Sequence, residues 1–245
     1  ITFFMEECKR MGLKVLGPDI NESLKGFAVN KKGEIRFGLG GLKGVGEAAI
    51  EGIIDERNKG GHYKDIFDLI KRVNQRTVNK KSLESLAYAG AFDCFKDIHR
   101  AQYFNVAQGE PLTGIEKIIR FGNVFQTNKS QSVNSLFGDS VMPEIATPKL
   151  PACEEWTLTE KLDYEKEVTG MFMSGHPLDH FKFELKYYGI MNLADFNEVK
   201  DSPTLIAANA NRNFRIAGLV TDGQHRVTKT GRQFGSLSIE DFSSK

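Results

Sequence analysis

The stretch from Gly38 to Arg57, GLGGLKGVGEAAIEGIIDER, constrains the fold more than any other part of the chain. A short helix ending near Leu42 is expected to lead into a tight turn at residues 44–46, whose two glycines readily adopt positive φ and carry no side chain. A second helix is predicted after the turn, because apolar residues follow at helical spacing on one face: Ala49, Ile50, Ile53 and Ile54. The pattern is typical of a helix-hairpin-helix.

This turn has the features of an anion site. The first N–H groups of the second helix point back toward the turn, and an exposed helix N-terminus attracts phosphate. The segment is therefore predicted to bind nucleic-acid phosphates without reading the base sequence, through Lys43, Gly44, Val45 and Gly46. An ordinary helical turn with glycine caps is the alternative reading of the same residues.

A second helix pair follows the first. Residues 66–73 are amphipathic, and Asn79 is a suitable N-cap for a helix that stops at Gly90. Between Arg57 and Lys81 there are 8 Lys/Arg residues against 2 acids. This local excess favours a phosphate partner, although a solvated lysine-rich surface would look similar. The second predicted set of contacts to duplex DNA comprises Arg76, Asn79, Lys80 and Lys81.

Whole-chain composition says less about partners than these local patterns. The 245 residues have a formal net charge of +1. The sequence shows no signal peptide and no apolar run long enough to cross a membrane, so a cytoplasmic protein without a membrane partner is expected. The cysteines Cys8, Cys94 and Cys153 are widely spaced and are expected to be reduced thiols. No metal-ligand spacing and no catalytic carboxylate set are visible.

The remaining periodicity predicts a mainly α protein with a small β part. Helices are expected near 99–107 and 113–125, and the helical period disappears from Thr127 to about Leu158, which predicts a linker. Thr159 is the expected cap of the next helix. Residues 214–220 and 236–242 alternate with period two and predict a β-hairpin. An aromatic stripe is assigned to the core, although exposed aromatic rings could instead stack on bases: Phe172, Phe181, Phe183, Tyr187 and Tyr188.

Two or three strands cannot close a barrel, so the chain is expected to be a fragment of something longer. Six stretches in order carry a resemblance: MEECKRMG with PDINES, IRFGLGGLKGVGEAAIEGII, VNKKSLESLAYAGAFD, SLFGD, EKEVTGMFMSGHPLD, and RIAGLV followed by VTKTGR. On these stretches the chain resembles the alpha (catalytic) subunit of bacterial DNA polymerase III.

The resemblance implies a domain plan. Residues 1–26 would be the end of the fingers region and residues 27–126 a tandem helix-hairpin-helix DNA-binding bundle. Residues 127–158 would form an extended linker with a clamp-binding-like motif, and residues 159–204 a helical connector. Residues 205–245 would begin an OB-type β-barrel that is incomplete, near single-stranded template. The implied function is a grip on duplex DNA that supports processive synthesis.

The SLFGD segment resembles the family's sliding-clamp-binding motif. That motif consists of a glutamine, two intervening residues and then Leu-Phe. Leu136 and Phe137 match, but Val133 occupies the usual glutamine position, and Gln131 lies two residues upstream. Clamp binding through Gln131, Leu136 and Phe137 is therefore an expectation, and packing of the Leu-Phe pair against this protein itself is the alternative.

The resemblance places metal-dependent chemistry elsewhere. In the family the palm domain supplies the aspartates that hold Mg²⁺, so no cofactor is expected here and the chain alone is expected to be inactive. Other replicase subunits would be partners. Two further readings stay open, namely an independent DNA-binding accessory or scaffold protein and an error-prone relative of the same polymerase.

Overall fold

The computed structural model describes residues 4, 7–8, 11–133 and 145–244, with the side chains of 131–133 left aside. The chain forms two compact units, residues 1–174 and residues 175–245. The mainly α prediction is confirmed, with a small sheet in each unit. No described helix has the length and apolar character needed to cross a membrane.

The first unit begins with a small three-stranded sheet. Strands β2 and β3 form an antiparallel hairpin, and β1 adds parallel to β3. The strands are β1 (Val15–Leu16), β2 (Ala28–Val29) and β3 (Ile35–Arg36). A 3₁₀ turn at Leu39–Gly41 follows at the expected first short helix. This sheet brings the chain to the glycine turn.

Six helices follow in the described part of the first unit: α1 (Glu47–Gly60), α2 (Ile66–Arg72), α3 (Lys80–Tyr88), α4 (Arg100–Phe104), α5 (Gly114–Val133) and α6 (Leu158–Thr169). The predicted caps mark several of their ends. Asn79 Oδ1 accepts a hydrogen bond of 3.0 Å from the Ser82 N–H at the start of α3, and Gly90 has φ +80° after its end. The apolar faces of α1, α2 and α3 meet in one core, which includes Ile50, Ile53, Leu69, Ile70, Leu83 and Leu86.

Helix α5 is longer than the sequence predicted, since it runs through Val133 rather than ending near Phe125. It packs on α2, where the Phe67 and Phe121 rings meet edge to face at 5.4 Å. The Gln126 side-chain amide donates to the carbonyls of Ile70 and Val73 at 3.3 and 2.9 Å, satisfying the end of α2. The helix therefore continues where a linker was expected.

The chain resumes at residue 145 and leads into α6. Its cap is Thr157, not Thr159: the Thr157 hydroxyl accepts from the Glu160 N–H, and the Glu160 carboxylate accepts from the Thr157 N–H. This is a capping box, whereas Thr159 lies inside the helix. Trp156 anchors the returning segment, because its ring lies 5.3 Å from Phe104 and 4.4 Å from Tyr164.

A buried ion pair fastens α6 to the rest of the unit. Glu165, on α6, is fully buried, and its Oε1 lies 2.8 Å from Arg100 Nη1, on α4. The second oxygen of Glu165 accepts hydrogen bonds from the Met173 and Ser174 N–H groups at 2.9 and 2.8 Å. Arg100 also bridges to Asp93, with Nη2 to Oδ2 at 2.6 Å. Each charge is thus partnered, as burial requires.

In its described residues the second unit contains three short helices and a β-hairpin. The hairpin was predicted, but its first strand covers residues 219–227 and not 214–220. The helices are α7 (Lys182–Tyr187), α8 (Leu193–Asp201) and α9 (Pro203–Ala208), and the strands are β4 (Leu219–Val227) and β5 (Gln233–Glu240). The strands pair antiparallel around a turn in which Gly231 has φ +80°. This two-stranded sheet is compatible with an incomplete OB-type fold, and the described residues close no barrel.

The assignment of the aromatic stripe to the core is wrong for four of its five members. Phe172 is buried, but Phe181, Phe183, Tyr187 and Tyr188 are exposed. Helical spacing of apolar residues indicates that they share a face, but it does not indicate whether another element covers that face.

Candidate nucleic-acid interface

The glycine turn between the 3₁₀ turn and α1 has one glycine in the left-handed region, not two. Gly44 has φ +88°, and a Cβ placed there would lie 2.5 Å from Ser85 Oγ. Gly46 is the N-cap of α1 with φ −73°, and a Cβ there would meet nothing within 4 Å. The two glycines therefore serve different purposes. Gly44 makes the turn and its packing possible, while Gly46 leaves open space at the start of α1.

This turn packs directly on the first half of α3. Besides the close approach of Gly44 to Ser85, the Ser82 hydroxyl lies 3.5 Å from the Gly44 carbonyl oxygen. The end of the Lys81 side chain passes beside the turn, with Cε 3.5 Å from the position of a Gly44 Cβ. The structure thus brings the turn of the first helix pair and the start of the second pair together on one surface. Sequence reasoning did not identify the two serines, whose small size permits this approach.

The turn is also held from the other side. The Lys43 N–H donates a 2.8 Å hydrogen bond to the carbonyl of Val168, near the end of α6. Val45 packs partly buried against the core. Because both flanks of Gly44 are fixed, the first N–H groups of α1 are presented in a defined direction. The side chains of Lys43 and Lys81 are exposed beside them.

Fewer cations between Arg57 and Lys81 are available to a ligand than the number of basic residues indicates. Arg57 is buried and donates to the Ile20 carbonyl at 2.9 Å, and burial lowers the pKa of its guanidinium. Arg72 donates to the Glu56 and Gly61 carbonyls at 2.6 and 3.0 Å. These two arginines hold the fold together, so the corresponding charges do not argue for a phosphate partner.

The Lys80 ammonium also has carboxylate partners within the protein. Its ammonium lies 2.9 Å from Glu116 Oε1 at the start of α5 and 3.7 Å from Glu84. The Glu116 carboxylate also accepts the N–H and the hydroxyl hydrogen of Thr113. These contacts lower the pKa of Glu116 to about 2. The largest contribution is the hydrogen bond from the Thr113 N–H, and the next is the hydrogen bond from Lys80. Glu116 therefore stays ionised at neutral pH and competes with any phosphate for Lys80.

Arg76 and Asn79 lie in and after the connector between α2 and α3. The connector is closed by the Val78 N–H donating to the Asn74 carbonyl at 2.9 Å, and the Arg76 side chain is exposed. Within the described residues, Lys43, Arg76 and Lys81 form no ion pair. They are the exposed cations without an ion pair on this surface, which we call the hairpin surface: the turn at Lys43–Gly46 with Arg76 and residues 79–81.

The clamp-binding residues are placed only in part. Gln131 lies in the last turn of α5, where the main chain alone is described, and Leu136 and Phe137 lie outside the described residues. In the part of the chain that the structure covers, no three His, Cys, Asp or Glu side chains are grouped as metal ligands. His176 serves as a cap, since its Nδ1 accepts a hydrogen bond from the Leu178 N–H at 3.1 Å.

Comparison with known proteins agrees with this geometry. A model of the helix-hairpin-helix motif matches residues 12–103. DNA polymerase III subunit alpha of Escherichia coli (strain K12) is 35% identical over 247 residues, which cover 100% of this chain and 20% of that protein. The subunit alpha of Vibrio cholerae is 34% identical over 246 residues, with the same coverage. That of Borreliella burgdorferi is 35% identical over 205 residues, or 82% of this chain and 17% of that protein.

The chain therefore spans about a fifth of the length of these two full-coverage relatives. It is similar to them across both of its compact units and carries the helix-hairpin-helix motif in the first. The chain corresponds over its whole length to one section of the alpha subunit of DNA polymerase III.

Proposed function

We propose that this chain binds duplex DNA without sequence preference, as the DNA-gripping section of a replicative DNA polymerase III alpha subunit. The observation that carries the proposal is the contact between the Gly44 turn and α3, which places the start of α1 and the start of α3 on one surface with exposed cations. Helix N-termini and lysines bind phosphate oxygens, which every base sequence presents alike. Nucleotide transfer would belong to the parent polymerase.

We expect duplex affinity to fall steeply with salt. Three exposed cations on the hairpin surface would release counterions from about three phosphates, so log Kd should change with log salt with a slope of about 3. Lys43→Gln and Lys81→Gln should each reduce that slope by about one. Lys80→Gln should have a smaller effect because Glu116 already holds the ammonium. Fluorescence anisotropy on a labelled duplex over a salt series measures all three.

The control is Lys64→Gln, an exposed lysine outside the hairpin surface, which should leave affinity and slope unchanged. Duplexes of equal length with scrambled sequence should bind within a factor of about two, since phosphate contacts carry no base information. A strong preference for one base sequence, or a Kd that does not change with salt concentration, would contradict the assignment of the hairpin surface to phosphate binding.

The proposal includes a tether to a sliding clamp through Leu136 and Phe137. Two adjacent apolar side chains fit a hydrophobic groove on a partner, and a contact made by so few side chains gives modest affinity, on the order of micromolar. Binding to the same DNA would raise the effective concentration of the site. The double variant Leu136→Ala with Phe137→Ala should lose clamp binding in surface plasmon resonance and keep duplex binding.

Gln131→Ala tests the register of the motif. Weaker clamp binding would assign the glutamine role to Gln131, while unchanged binding would mean that Leu136 and Phe137 suffice. If the double variant binds the clamp as well as the unmodified chain, the tether through this segment is wrong.

A further inference from the structure

Helix α7 in the second unit exposes a group of aromatic rings that contribute nothing to a core. Phe183, Tyr187 and Tyr188 are 63%, 62% and 59% exposed, and Phe181 just before the helix is 53% exposed. No residue of α7 is buried. Within the described residues, the rings therefore do not stabilise the fold by burial, and their apolar area faces solvent.

The rings form one cluster. Phe183 and Tyr187 are four residues apart on α7 and share a side of the helix, with ring centroids 4.9 Å apart and planes at 44°. Tyr188 directly follows the helix, and its ring lies 6.4 Å from Phe183 with the planes at 69°. Because the planes differ, each exposed ring offers its own π-face to a separate base. We call the three rings the α7 platform.

Cations accompany these aromatic rings. Lys186 Nζ lies 5.2 Å from the centroid of the Tyr187 ring. Lys182 Nζ lies 5.6 Å from the ring of Phe242, which follows β5 and is itself half exposed, but Lys182 already pairs with Asp179 Oδ1 at 2.8 Å. A purely apolar partner would have to desolvate these charges, whereas a polyanion with flat bases satisfies both the rings and the cations.

We propose that Phe183, Tyr187 and Tyr188 form a stacking platform for the bases of a single-stranded nucleic acid, with Lys186 contacting its backbone. Bases in a duplex already stack on one another, so only unpaired bases present free faces to the rings. Stacking is tolerant of sequence because every base has a π-face. The inference rests on the proposed function only in giving the chain a nucleic-acid partner, since the hairpin surface lies in the other unit.

The test uses the whole chain and two labelled oligonucleotides of about 15 nucleotides, a length that matches typical single-strand sites. One is oligo-dT and the other is an abasic strand with the same phosphates. We expect oligo-dT to bind at least roughly tenfold more tightly than the abasic strand, because each stacked base contributes roughly five- to hundredfold. Anisotropy at constant salt gives both dissociation constants.

Phe183→Leu with Tyr187→Leu and Tyr188→Leu keeps apolar side chains at the exposed platform but removes the π-faces, and it should abolish the preference for dT. Phe183→Trp with Tyr187→Trp should retain the preference. Gly46→Val, which alters the hairpin surface, should leave the single-strand preference intact, so failure of the duplex proposal and failure of this one are distinguishable.

Equal binding of dT and abasic strands by the unmodified chain would overturn the proposal, as would a leucine variant that keeps the preference. Sedimentation velocity addresses a protein partner. If the unmodified chain self-associates, shows no base preference, and loses its association in the leucine variant, then α7 is a contact between copies and the single-strand assignment is wrong.

Discussion

Replacing Glu165 with alanine is expected to lower the free energy of unfolding of the first unit by about 3–5 kcal/mol, because it leaves the Arg100 charge largely buried and short of a partner. The same change removes the acceptor for the Met173 and Ser174 N–H groups. Trp156 is the single tryptophan of the chain and stacks beside α6, so its fluorescence in a urea titration reports on this unit.

The matched control is Glu167→Ala, which removes an exposed carboxylate from the same helix and should change stability by less than about 0.5 kcal/mol. Glu165→Gln should fall between the two, since the amide oxygen still accepts one hydrogen bond but carries no charge. An unfolding midpoint for Glu165→Ala equal to that of Glu167→Ala would show that the buried pair contributes little.

The helix that Glu165 holds in place also contacts the hairpin surface. Helix α6 carries Val168, whose carbonyl accepts the hydrogen bond from the Lys43 N–H that fixes one flank of the glycine turn. Loosening α6 should therefore weaken duplex binding in Glu165→Ala even below the urea concentrations that unfold the unit. The section that resembles a connector in sequence thus also positions the predicted grip.

The features that sequence predicted well are those with a local cause. Asn79 caps α3 and Gly90 ends it because a side-chain oxygen and a positive φ are needed at those points. The glycine turn and the apolar face of α1 were likewise predictable from spacing. The contact of Gly44 with Ser85 was not, because it joins residues far apart in the chain and depends on how the two helix pairs pack.

The missed end of α5 has a similar explanation. Its packing face turns from apolar to polar at Gln126, which binds the carbonyls at the end of α2, so the apolar period disappears while the helix continues. The cap of α6 could have been predicted from the sequence. Thr157 stands three residues before Glu160, which is the spacing of a capping box, whereas Thr159 has Leu162 at that distance.

Gly46→Val is expected to weaken duplex binding roughly ten- to hundredfold while leaving the fold intact. That range corresponds to losing one charge-assisted hydrogen bond between a backbone N–H and a phosphate, about 1.5–3 kcal/mol. A side chain at Gly46 meets no protein atom within 4 Å and φ is ordinary, so the valine projects into the space that a phosphate would use. Anisotropy with a labelled duplex gives the affinity, and circular dichroism checks the fold.

Gly44→Val should differ in kind from Gly46→Val. There the valine would be strained at φ +88° and would collide with Ser85, so both stability and duplex binding should fall. Gly17→Val is the control, since that glycine also has an ordinary φ and open space but lies before β3, away from the turn. If Gly46→Val binds duplex DNA as tightly as Gly17→Val, phosphate does not approach the start of α1, and the hairpin surface is only a packed turn between two helix pairs.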